Sequence, residues 1–88
     1  MEPIVFQDRL VQLVEEFCPN RITKTYTSNI YVGADGKRGG RTYFWSQDTV
    51  KLKVFHDWLI DTADWVEVVE FLPETWECWA TISVKEKE

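Results

Sequence analysis

All four glycines of the chain, Gly33, Gly36, Gly39 and Gly40, fall within eight residues. Runs of β-branched and aromatic residues flank them, Ile22 to Val32 before and Arg41 to Ser46 after. Glycine reaches φ > 0 without steric cost, so such a cluster reads as a turn and its flanks as the two strands of a hairpin. The tip, Ala34 to Arg41, is longer than a two-residue loop and carries Lys37, Arg38 and Arg41. In the first strand Ile22, Lys24, Tyr26, Ser28, Ile30 and Val32 share one parity, and Thr23, Thr25, Thr27, Asn29 and Tyr31 form a polar face on the other. That is the pattern of a strand wetted on one side.

Helical periods stand on both sides of this hairpin. Phe6, Leu10, Leu13, Val14 and Phe17 recur at helical spacing behind Pro3, which suits a first turn, and Pro19 ends the element. Asp48 can cap a second helix over 49–62, with Leu52, Phe55 and Leu59 on one stripe and Trp58 beside it. Residues 49–54 also alternate as a strand would, with Val50, Leu52 and Val54 on one parity; continuation of the helical period through Trp58 and Leu59 favours the helix. Trp65 to Phe71 is β-branched and reads as a strand rather than a helical continuation. Leu72-Pro73-Glu74-Thr75 makes a turn. In the last strand Trp76, Cys78, Ala80, Ile82 and Val84 point one way, and Glu77, Trp79, Thr81 and Ser83 the other. Residues 85–88 read as a solvated tail. The order α-β-β-α-β-β predicts an α+β fold: a four-stranded, mainly antiparallel sheet with both helices packed on one face.

Eighty-eight residues make one domain, and a hydrophobic fraction of 44% with five tryptophans supplies a core. Net charge is −5, but it is segregated. Residues 20–53 hold seven Lys or Arg against two Asp, whereas residues 54–84 hold seven Asp or Glu and no Lys or Arg. Cys18 and Cys78 form no metal or redox motif and read as reduced thiols. The first residues carry no basic leader and no apolar run reaches membrane-spanning length, so the expected location is cytoplasmic, with no membrane contact.

Catalytic patterns are weak. His56 is the sole histidine, and although Asp57 follows it, neighbours on a helix point in different directions. Asp57, Asp61 and Asp64 lie at i, i+4, i+7 and read as a solvated acidic face rather than a metal site. The glycine cluster lacks phosphate-loop spacing and joins strand to strand. No enzyme activity, metal or cofactor is expected.

Two surfaces can bind. The acidic half offers Asp57, Asp61, Asp64, Glu67, Glu70 and Glu77, with Trp79 as an aromatic anchor on the polar parity of its strand. The basic hairpin offers Lys37, Arg38 and Arg41 beside Tyr43 and Trp45, cations and rings of the kind that hold single-stranded nucleic acid. The helix-first order and the absence of glycines among those aromatics do not fit the RNA-recognition-motif fingerprint. The expected function is a small acidic, non-catalytic protein-interaction module, an inhibitor or regulator of nucleic-acid-handling machinery of the kind phages and mobile elements use. The alternative is a single-stranded nucleic-acid-binding domain built on the hairpin. Opposite charge poles also allow pairing of two copies as a homodimer.

Overall fold

The structure, a computed structural model, describes residues 2–17, 30–35, 41–73 and 79–87. The elements are α1 (Pro3–Phe17), β1 (Tyr31–Asp35), β2 (Arg41–Ser46), α2 (Thr49–Thr62), β3 (Val66–Leu72) and β4 (Ala80–Glu86). All strand pairs are antiparallel, in the order β1-β2-β4-β3. The chain thus returns from the edge strand β3 to place β4 in the middle of the sheet. No helix among the described residues is long and apolar enough to cross a membrane.

Both helices form where their caps and stripes coincide. Glu2 O accepts from Phe6 N at 2.9 Å in the first turn of α1, and Phe6, Leu10, Leu13 and Val14 are buried at i, i+4, i+7 and i+8. Asp48 caps α2, with Oδ1 accepting from Lys51 N at 3.0 Å. The buried Ser46 hydroxyl holds that cap in turn by accepting from Asp48 N at 3.0 Å. Leu52, Phe55 and Leu59 face the sheet. They meet Phe44 of β2 and Ala80, Ile82 and Val84 of β4 in one core shared with α1, so both helices lie on one face. Phe55 is the junction: its ring lies 4.8 Å from Phe44, 5.1 Å from Phe17 and 5.7 Å from Trp58. Residues 49–54 are helix throughout.

Several boundaries differ from the sequence reading, among them Leu72, expected in the turn but the last residue of β3, and Trp79, expected within the last strand but lying just before β4. Gly33, Ala34 and Asp35 belong to β1, opposite Tyr43, Thr42 and Arg41, not to the turn. Gly33 serves close approach: a Cβ there would stand 2.7 Å from Cζ3 of Trp45, whose ring leans across β1. Most of the first expected strand, 22–29, and the tip, 36–40, lie outside the described residues. Lys85 and Glu86 are strand, not tail, because they pair with Glu67 and Val66 and carry the antiparallel ladder to the first residue of β3. β3 also carries a bulge between Val68 and Glu70 that the sequence reading did not expect. Strict alternation from Val66 through Val68 would bring Glu70 inward; the extra residue, Val69, resets the phase so that Phe71 packs on the core and Glu70 stays out.

Candidate protein-interaction surface

The acidic residues that the sequence groups as one surface are divided between two faces. Asp57 and Asp61 project from α2, and Asp64 sits in the turn that follows it, all exposed on the helical layer. Glu67 and Glu70 lie on the helix-free face of β3. Glu77 is outside the described residues. Trp79 is not grouped with α2's carboxylates: its ring meets Tyr31 of the edge strand β1 at 5.9 Å. The division follows from the period of each element. A carboxylate at i, i+4 stays on one helix face, whereas the strand that follows directs its own polar residues to the opposite side of the sheet.

The carboxylates differ in what neutralises them. Asp57 Oδ1 accepts hydrogen bonds from Lys53 Nζ and from His56 Nδ1, each at 3.1 Å. The carboxyl is therefore held below its ordinary pKa, first by the His56 bond and then by Lys53. Helix neighbours do meet here, contrary to expectation, because the short aspartate folds back between the residues at i−1 and i−4. The imidazole is largely covered, tilted against Phe71 with ring centroids 5.2 Å apart. Glu67 pairs with Lys85 at 3.1 Å. Asp61 and Asp64 have no ion-pair partner among the described residues. No group of three or more His, Cys, Asp or Glu among the described residues could hold a metal ion. Cys18 and Cys78 are outside those residues.

Charge on α2 runs against its backbone dipole. Lys51 and Lys53 occupy the N-terminal half and Asp57 and Asp61 the C-terminal half, with no basic residue in the last turn. Unsatisfied carbonyls make a helix C-terminus a negative pole, so an acid there costs about 0.3–1 kcal/mol where a base would stabilise. Apolar exposure lies on the same helix: Val50, Val54 and Ile60 are 75%, 53% and 56% exposed. The helix thus combines uncovered aliphatics with an unneutralised acid, Asp61, at its negative end.

The helix-free face is laid in rows. Tyr31, Trp45 and Thr81 align at one end, and Gly33, Tyr43, Ser83 and Glu70 across the middle. The backbone register of β1 with β2 ends at Asp35 opposite Arg41. Tyr43 is buried, and its ring stacks on Trp45 at 5.3 Å with the planes 18° apart. Trp45 is itself lodged over Gly33. The two rings that the hairpin reading assigns to base stacking are thus engaged with each other. Arg41 is exposed, and Lys37 and Arg38 lie outside the described residues. Neither Tyr43 Oη nor Ser83 Oγ, register partners buried on this face, has a hydrogen-bond partner among the described residues.

Compared with family models, curated proteins and solved structures, the chain matches none. Residue chemistry and placement alone therefore speak for function.

Proposed function

We propose that this chain is a small, non-catalytic protein-interaction module that acts in the cytoplasm by occupying the surface of a partner protein. The observation that carries this reading is the outward side of α2. Val50 and Val54 are exposed towards its N-terminal end, Ile60 is exposed beside Asp61 at the other, and Asp61 and Asp64 have no ion-pair partner among the described residues. Apolar patches surrounded by charge mark association sites, and acid placed against the helix dipole sacrifices stability that selection for folding alone would recover. The partner surface is basic. Proteins that handle nucleic acid carry such surfaces, and an inhibitor or regulator of that machinery, of phage or mobile-element type, agrees with the chain's size and net charge of −5.

The test is an affinity capture from the native cell, run with and without nuclease. Wild-type chain is expected to retain a protein that survives nuclease, and the variant Asp57→Asn/Asp61→Asn/Asp64→Asn to lose most of it. Equal capture by both chains would sink the reading. Capture that vanishes with nuclease would instead favour the hairpin as a nucleic-acid site. Association of the tagged chain with its own untagged copy would identify a homodimer.

A further inference from the structure

The outward side of α2 also limits the shape of what it binds, an inference that rests on the interaction reading and deepens it. Val50, Val54, Asp57 and Asp61 follow one another at spacings of four, three and four residues, and all four are exposed. Alternating steps of three and four hold side chains in a single line along a helix, the narrow seam on which a second helix packs. The N-terminal half of this line is aliphatic and its C-terminal half is acidic. From Val50 to Asp61 it runs about 16 Å at ~1.5 Å per residue, three turns of an opposing helix.

A second observation lies at the aliphatic end. An open cleft of about 490 Å³ is bounded there by Tyr31, Gln47, Asp48, Thr49 and Val50. Tyr31 and Val50 supply apolar walls that water now covers, at 57% and 75% exposure. The volume is ample for one large side chain. Val50 belongs to both features, so cleft and seam form one continuous surface.

We infer that this surface seats an amphipathic basic helix of a partner protein. Its aliphatic side chains lie on Val50 and Val54, one large side chain enters the Tyr31–Val50 cleft, and its Lys or Arg residues lie over Asp57 and Asp61. Charge complementarity selects the basic occupant. Asp61 has no ion-pair partner among the described residues and stands at the negative end of the α2 dipole, where a cation relieves an unfavourable field. Asp57 is already shared by Lys53 and His56, but that contact is exposed and a partner cation can join it.

A synthetic peptide of roughly fourteen residues, stapled into a helix, provides the probe, because free peptides of that length are marginal helices. It carries two leucines and then two lysines at the same four-three-four spacing, and its binding to the full chain is read by fluorescence anisotropy at low salt. Replacing both lysines with glutamate, or both leucines with serine, is expected to weaken binding by about tenfold or more. Val50→Ser/Val54→Ser and Asp57→Asn/Asp61→Asn in the chain are expected to do the same, while Asp57→Lys/Asp61→Lys recovers the glutamate peptide. Equal binding of the serine peptide, or no binding of the leucine-lysine peptide, overturns the helical occupant. The native-cell capture separates the two levels. If capture survives Val50→Ser/Val54→Ser but not the triple asparagine variant, the interaction module stands and the helix does not. If it survives both, the functional reading fails as well.

Discussion

Buried hydroxyls in this protein serve opposite ends. Ser46 Oγ accepts the Asp48 N–H at 3.0 Å and so fixes the residue that caps α2. Tyr43 Oη and Ser83 Oγ, also buried, make no hydrogen bond among the described residues. A buried polar group without a partner has lost its water for nothing, a penalty of about 1–3 kcal/mol, whereas deleting one partner of a bonded pair exposes the other to that same cost. Substitutions of these hydroxyls should therefore differ in sign. Ser46→Ala is expected to lower stability by roughly 1 kcal/mol, and Tyr43→Phe to leave it unchanged or raise it by up to about 1 kcal/mol. Urea unfolding followed by far-UV circular dichroism reads both as shifts of midpoint at constant slope. A large loss in Tyr43→Phe would mean that its hydroxyl is bonded after all.

At the scale of elements, the sequence makes plain whatever one period governs. α1, β2 and α2 have the bounds that spacing and capping dictate, and the parity of Ala80, Ile82 and Val84 puts those residues in the core. Two features escape because they depend on a neighbour across the sheet. Gly33 reads as a turn residue until Trp45 is seen lying against it. Val69 reads as one more β-branched strand residue, although the three-residue interval between Glu67 and Glu70 already hints at the phase slip that the bulge supplies. The candidate site was legible in its residues but not in its grouping, since charge counted along a chain does not report which side of a sheet each element occupies. The Lys53–His56–Asp57 cluster shows the same limit on a single helix. Because its folded pKa is depressed, the Asp57 carboxyl contributes stability above its unfolded pKa and loses it as pH falls through the lower folded value. The carboxyl is exposed, so salt weakens the effect. In an NMR titration Asp57 is expected to protonate below the ordinary carboxylate range, and His56→Gln to move it back up. An unchanged midpoint would mean that the His56 contact does not persist in solution.

For the whole molecule, the proposed recognition surface sets stability and binding against each other on one helix. Core packing around Phe55 ties both helices to the sheet, yet both helices carry acid in their last turns, Glu15 and Glu16 on α1 and Asp61 on α2. A domain of this size holds only about 5–10 kcal/mol of net stability, so even a few tenths at a helix end matter. If acid at the end of α2 is retained for a partner, its removal should strengthen the fold and weaken the complex together. Asp61→Asn removes one charge without changing the side chain's shape, and Asp61 has no ion-pair partner among the described residues that would be orphaned. Relief of the dipole conflict is expected to stabilise by about 0.3–1 kcal/mol, a Tm increase of a few degrees for a chain this short. Capture of the partner, measured on the same preparation, is expected to fall. A residue kept only for solubility would give the first change without the second. A residue that anchors the fold would lower Tm, and either result would detach Asp61 from recognition.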